Sequence, residues 1–381
     1  APRRLRATVM RLGGSGRNHE RNDEHIHSPN VKCCALCSGA NEVPKCPGRL
    51  LMGRSAVLVL GLGSLVGVLF IGSLLIGPSS ASVGDSLNAL VTGQGGPLAT
   101  VMREIRLPRA LLGMMIGGAL GLSGAAMQGY LRNPLADPGL IGVSGSAALG
   151  AVLAIQTGLA ALAALALPAM ALGGALLGVL LVLLLAGPRG TSLALILAGI
   201  AISAFAAALT SLVLNLSPNP YAANEIVFWM MGSLADRSMT HVWIAMPFLL
   251  GGGVLLATLG RGLDALTLGE DAAEAMGINL FRLRLTVIIG TAAVVGASTA
   301  VAGAIGFVGL VMPHLLRGFV GARPGALLWA ATLGGAAMIL ASDILVRLVV
   351  PDRDLKLGVV TALVGAPLFL HLIYRTRRDG L

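Results

Sequence analysis

The chain has 381 residues, 55% of them hydrophobic and only 12% charged. A soluble domain carries about 25% charged residues, so this composition excludes an ordinary soluble globule. The formal net charge is +10, but the basic residues flank apolar stretches, which speaks against nucleic acid as a partner.

Residues 1–54 are polar and hold ten Lys/Arg against four Asp/Glu. That run is too long for the n-region of a signal peptide. A basic tail ahead of the first apolar stretch fits a cytoplasmic N-terminus. Cys33, Cys34, Cys37 and Cys46 all lie in it, near His25 and His27. Thiols and imidazoles can hold zinc, yet no spacing here completes a familiar site. Residues 1–50 are therefore expected to be a disordered, reduced tail, with no metal assigned.

Beyond the tail, residues 55–375 read as helices packed in lipid. Glycine is 53 of 381 residues, about twice its usual share, as close helix packing in a bilayer requires. A core about 30 Å thick takes ~20 apolar residues per helix. The first span runs from Ala56 to Ile76, and a polar Gly/Ser-rich stretch follows to Glu104. The second runs from Ala110 to Tyr130 and breaks at Asn133-Pro134. Gly139 to Ala186 is too long for one helix, and Gly158 and Pro168 divide it into a short span and a long one. Leu193 to Leu214 is the fifth span. A polar segment, Asn215 to His241, precedes Trp243 to Leu259. Gly260 to Arg284 is the longest polar insert of the second half. Leu285 to Leu316 reads as one tilted helix or as two short ones. Spans at Ala326 to Ile344 and Leu357 to Tyr374 complete ten, with nine the alternative.

Ten spans place both termini inside, with Arg375, Arg377 and Arg378 at the C-terminal end. Arg132, Arg189, Arg261, Arg282, Arg284, Arg317 and Arg323 then lie inside as well. Arg103, Arg106, Arg109, Arg237, Arg347, Arg353 and Lys356 fall outside, more cations than that side normally carries. A weak echo links Gly118 with Gly124-Ala125 and Ala297 with Gly303-Ala304. The two segments cross in opposite directions, as an inverted repeat would.

Uphill transport needs energy. The three lysines, Lys32, Lys45 and Lys356, sit in no G-x-x-x-x-G-K-[ST] motif, so no P-loop is present. Ion-coupled carriers keep carboxylates or histidines in the membrane, and here only Asp343 reads as lying within a span. An ion-coupled secondary carrier is thus disfavoured, and energy from a partner subunit is the alternative. Leu266 to Phe281 is a candidate docking surface. Glu270, Asp271 and Glu274 begin a short helix, where the dipole favours acids, and Gly277 suits its end. An ordinary solvated loop helix is the competing reading.

Several motifs then resemble the FecCD-type permeases of bacterial ABC importers. They are Arg106-Leu-Pro-Arg109 with Gly117 to Ala151, Trp229 to Leu234, Leu268 to Ile278, Gly303 to Arg317 and Gly358 to Pro367. They stand in family order across residues 55–375. The resemblance implies an all-α integral membrane protein of about ten transmembrane helices with the type II importer fold. It implies a homodimer in the inner membrane, with two ATP-binding-cassette subunits and one periplasmic binding protein. The substrate is expected to be haem or another iron chelate, with ferric siderophore and cobalamin as alternatives. No catalytic residue and no bound cofactor are expected, since the partner binds the ATP.

The resemblance also assigns positions. Coupling falls at about 264–281, on Leu268, Gly269, Glu270, Ala273, Met276 and Gly277. The Leu285 to Leu316 stretch becomes two spans, with Pro313-His314 near the cytoplasmic end. Arg106, Arg109 and Arg347 would pair with acids of the binding protein, against the alternative of interfacial anchors. Asn133, Leu135, Thr191 and Ser192 match the cytoplasmic gate. A helix cap at Thr191 or Ser192 and a stiff turn at Asn133 are compatible with that role. His314 is assigned to structure or ATPase contact rather than haem. His241 and Tyr221 lie on the outer side, where a chelate would arrive. Met114, Met115, Met127, Met230 and Met231 either line a soft path or simply pack.

Overall fold

A bilayer core offers no partner for backbone N–H and C=O groups, so a crossing segment must pair them internally, as helix. The computed structural model forms its regular structure from helices alone and contains no strand among the described residues. These residues are 48–77, 82–93, 96–163, 165–187, 191–321, 323–349 and 355–378. The expectations for the cysteine-containing tail, Arg189 and Arg353 lie outside them, as do those for the side chains of Arg375, Arg377 and Arg378.

α1 (Gly48–Leu75) is followed by α2 (Val83–Thr92) and α3 (Pro97–Thr100). A π-helical turn, Val101–Arg106, runs unbroken into α4 (Leu107–Tyr130). A 3₁₀ turn at Pro138–Ile141 leads to α5 (Val143–Gln156), α6 (Leu159–Leu162), α7 (Ala166–Ala186) and α8 (Ser192–Asn215). Next come α9 (Pro220–Met230), α10 (Met239–Ala257), α11 (Gly260–Leu266) and α12 (Glu270–Ala275). α13 (Leu280–Ala302), α14 (Val308–Arg317), α15 (Pro324–Val349) and α16 (Leu357–Arg378) follow.

Seven stretches among the described residues are long and apolar enough to cross a bilayer, in α1, α3–α4, α7, α8, α10, α13 and α15. α5, α14 and α16 supply three shorter apolar runs, which brings the crossings to the expected ten. Two boundaries differ from the sequence reading. The second crossing starts at Pro97 rather than near Ala110, because Arg103 and Arg106 hide its first turns from a hydropathy window. Pro168 does not interrupt a span. It sits in the first turn of α7, where a missing N–H costs nothing.

The short crossings have a common cause. After α4 the chain turns back into the protein before α5 begins. Pro138 packs on Gly309 beside the Leu120 carbonyl, ten residues before Tyr130 and so about 15 Å along the α4 axis. After α13 the chain again turns inward, along 303–307, and α14 starts where Gly309 meets Gly124. Two units of helix, extended segment and half-length helix thus run in opposite directions, the arrangement of inverted repeats. Both half-helices start at a cavity of about 120 Å³ whose lining includes Asp137, Ser144, Ser298, Thr299 and Phe307. Asp137 is therefore not a plain loop residue, as it reads in the sequence. It caps the 3₁₀ turn, accepting the Gly139 N–H at 2.7 Å.

Glycine sets the helix spacing. α4 and α15 approach so closely that a Cβ at Gly117 or Gly121 would strike the backbone of Gly335 or Ala331. Small residues at such crossings let backbones meet, which substitutes for hydrophobic drive in lipid.

Candidate functional site

The arginines expected on the outer side, Arg106, Arg109 and Arg347, form one cluster. Pro108 has no N–H to continue an α ladder, and a π turn precedes it, with the Leu107 N–H bonded to the Met102 carbonyl. Arg106 then faces α1, and Arg109 faces α15. Arg106 is 4% exposed, and its Nη1 donates to the Leu74 carbonyl at 3.0 Å and the Leu75 carbonyl at 3.0 Å. Arg347 donates through Nη1 to the Ser73 and Ile76 carbonyls at 2.8 and 2.9 Å. These are orphan carbonyls at a helix C-terminus, where the dipole favours cations. Asp343, with a side chain 2% exposed, joins the rest. Its Oδ1 accepts from Arg109 Nε at 2.8 Å and its Oδ2 from Arg347 Nη2 at 2.5 Å.

Two guanidinium groups, Arg109 and Arg347, thus share one carboxylate, and each of the three arginines holds an intramolecular bond. Arg103 does likewise for α2, donating to the Leu90 and Val91 carbonyls at 2.9 and 2.7 Å. Lys356 stacks 5.4 Å from the Phe228 ring centroid, a cation–π contact. Arg103, Arg106 and Arg347 thus finish helices through their last carbonyls.

At the opposite end, α12 is built as a discrete unit. Gly277 has φ +83 and its N–H bonds the Glu274 carbonyl at 2.8 Å, while the Ile278 N–H bonds the Ala273 carbonyl at 3.0 Å. This pair of bonds is the Schellman motif. Ala273 is buried in the main core, whereas Leu268 and Met276 are 70% and 53% exposed. Asp264 of α11 accepts the Gly325 N–H at 2.7 Å and so ties this segment to the start of α15. Gly277→Ala is expected to destabilise α12 by roughly 1–2 kcal/mol, the cost of a left-handed non-glycine residue. Faster amide exchange confined to residues 270–278 is the readout.

Of the positions expected to form a gate, Thr191 and Ser192 line a cavity beside α12, whereas Asn133 and Leu135 do not line it. Asn133 Oδ1 accepts the Leu135 N–H at 2.9 Å, and the Asn133 N–H bonds the Gln128 carbonyl at 3.2 Å. Thr191 caps α8, its Oγ1 accepting the Ala194 N–H at 3.2 Å. Thr191 and Ser192 line a cavity of about 470 Å³ together with Glu270, Glu274 and Arg284. Thr191 and Ser192 thus share one space with Glu270 and Glu274 of α12, which sequence spacing did not reveal. His314 lies on the last turn of α14, and Arg317 donates to Gln128 Oε1 at 3.0 Å, which ties α14 to the end of α4.

The substrate-facing candidates divide. Met127 is buried in the core, and Met114 and Met115 pack against core clusters. Met230 and Met231 are exposed, as is Tyr221. The His241 Nδ1 lies 3.1 Å from the Ser238 Oγ in a capping box. Among the described residues no group of three or more His, Cys, Asp or Glu is placed to hold a metal ion.

Seven long apolar helices and three shorter ones, with no strand among the described residues, make this chain an all-helical multi-pass membrane protein. The family model described as the FecCD transport family matches residues 65–375. The chain belongs to that family and has the type II fold of ABC importer permeases. The ferric enterobactin transport system permease protein of Escherichia coli (strain K12) is 38% identical over 330 residues, covering 85% of this chain and 97% of that one. The hemin transport system permease protein of Yersinia pestis is 35% identical over 335 residues, covering 87% and 97%. The vitamin B12 import system permease protein of Citrobacter koseri is 37% identical over 275 residues, covering 72% and 83%. A solved inward-facing metal-chelate type ABC transporter matches with a TM-score of 0.75 at 33% identity, covering 84% of this chain and 99% of its own.

Proposed function

We propose that the chain is the permease of a haem importer in the bacterial inner membrane. It works as a homodimer with two ATPase subunits and a periplasmic binding protein, and both termini are cytoplasmic. The supporting observation is the pair of distinct surfaces at opposite ends of one bundle. Leu268 and Met276 offer an apolar foothold beside the acids of α12, suited to a protein partner. The Arg106, Arg109 and Arg347 cluster carries excess positive charge, suited to steering an acidic one. Asn133, Leu135, Thr191 and Ser192 would close the path between them with small side chains that hold no substrate tightly.

For the cargo, the hemin relative supports haem, and exposed Met230 and Met231 offer soft contacts to a planar ligand. The ferric enterobactin relative supports a siderophore as the second reading. The test is uptake into proteoliposomes holding this chain, its ATPase and its binding protein. ATP-dependent haem accumulation is expected. Ferric siderophore or cobalamin accumulation without haem replaces the cargo. Uptake without any ATPase, collapsing with a protonophore, would point instead to a secondary carrier. Leu268→Glu with Met276→Glu is expected to abolish co-purification of the ATPase while the permease stays monodisperse, as pull-down and size exclusion will report.

A further inference from the structure

Asp137 stands where a bilayer is least hospitable to charge. The turn it caps packs beside Leu120 of α4. That point lies about 15 Å from Tyr130 along the helix axis, near the middle of a core about 30 Å thick. The Asp137 Oδ1 accepts the Gly139 N–H at 2.7 Å, and its Oδ2 holds no hydrogen bond among the described residues. No Lys, Arg or His among them pairs with the carboxylate. An ionised carboxylate at that depth needs a compensating positive charge.

The rest of the cavity of about 120 Å³ supplies oxygen and no further charge. Thr299 is 3% exposed, and its hydroxyl makes no hydrogen bond among the described residues. The Ser144 hydroxyl likewise has no partner there. Ser298 donates to the Val294 carbonyl at 2.7 Å, which leaves its lone pairs open. The Gly303 and Ile305 carbonyls accept no backbone hydrogen bond. Buried polar groups are as a rule bonded, so this many without a partner in one cavity mark a ligand. Water would satisfy the hydroxyls and carbonyls but not the charge. The C-terminal end of α13 meets the same space through Ser298, Thr299 and Gly303, and such an end favours a cation. The start of α14 opposes it with roughly half a charge of the other sign, against a whole charge on Asp137.

We propose that this cavity is a binding site for a monovalent cation, sodium. Asp137 supplies the negative charge. Thr299, Ser144, Ser298 and the carbonyls of the 303–307 segment supply neutral oxygens, the donors that hold sodium at broken membrane helices. A divalent ion normally takes more carboxylates, and no second one lines the space. One water needs about 10–15 Å³ of such volume, so the ion and a few waters fit. Asp137 leads into α5, and Thr299 stands just ahead of the 303–307 segment. The ion therefore clasps together the two places where the chain turns inward. The site serves the fold and does not rest on the importer reading.

The test uses the purified full-length chain in detergent, in sodium chloride or in N-methylglucamine chloride of equal ionic strength. A melting temperature that rises and saturates with sodium is expected, with one radiolabelled sodium bound per chain in equilibrium dialysis. Asp137→Asn keeps the acceptor for the Gly139 N–H and is expected to lose both the bound sodium and the thermal response. Thr299→Val and Ser144→Ala are expected to weaken sodium binding several-fold, with an unchanged melting temperature in N-methylglucamine chloride. Absence of bound sodium in the wild-type chain overturns the proposal, as does full sodium binding by Asp137→Asn. A melting temperature that ignores sodium but rises as pH falls overturns it too, since a proton then neutralises Asp137.

Discussion

Gly124→Leu is expected to leave no monodisperse permease. A Cβ at Gly124 would run into the Gly309 carbonyl and its attached backbone. Overpacking a core costs about 1–3 kcal/mol when side chains can yield. Here the obstacle is the first turn of α14, whose position also fixes the 303–307 segment. The cost is therefore placed at about 3 kcal/mol or more, the upper end of that range. Even Gly124→Ala is expected to lower the melting temperature in detergent. Gly173→Ala is the control, because its Cβ meets nothing within 4 Å. Removing a helix-interior glycine there is expected to be neutral or stabilising by up to about 1 kcal/mol. Equal melting temperatures for the two alanine variants would show that the α4–α14 approach is not tight.

Asp343→Ala is the second large effect. Asp343 is 1% exposed and neutralises Arg109 and Arg347, whose side chains are 18% and 11% exposed. Removing one partner of a buried ion pair costs about 3–5 kcal/mol, because charge is left behind without its counterion. Two cations are left here, so the upper half of that range is expected. Thermal unfolding is the first measurement. The second is the triple replacement of Asp343, Arg109 and Arg347 by apolar residues of similar volume. That variant is expected to recover most of the lost stability, since the desolvation cost disappears with the charges. A triple variant as unstable as Asp343→Ala would show that the cluster acts through hydrogen bonds to α1 rather than through charge balance.

The crossings were legible because hydropathy needs only composition along a window, and bilayer thickness sets that window. The short helix at Glu270–Ala275 was legible too, since the acids at Glu270 and Asp271 and the glycine at Gly277 are local end signals. The Thr191 cap belongs to the same class. What hid was everything that depends on residues far apart in the chain. Arg109 and Asp343 are 234 positions apart, and no local pattern announces their bond. The same holds for Arg347 on the last turn of α1, which turns an expected exterior docking group into a helix cap as well. The inward return of the chain near Asp137 was invisible because it is set by Gly309 and Leu120, not by its own hydropathy. Met127 read as a possible path residue since polarizability says nothing about which way a helix face points. Cargo is the least legible property, because relatives named for ferric enterobactin, hemin and vitamin B12 stand at similar identity.

α15 touches both ends of the molecule through polar bonds. Its first turn is held by Asp264 of α11, next to α12, and its last turns carry Asp343 and Arg347. With 26 residues it is about 39 Å long, and its unbroken ladder resists compression. A displacement of α11 that preserves the Asp264 bond must tilt this rod as a whole. The far tip then moves against α1 and α4, so mechanical work done below reaches the opposite face through a single lever rather than through a relay of small adjustments.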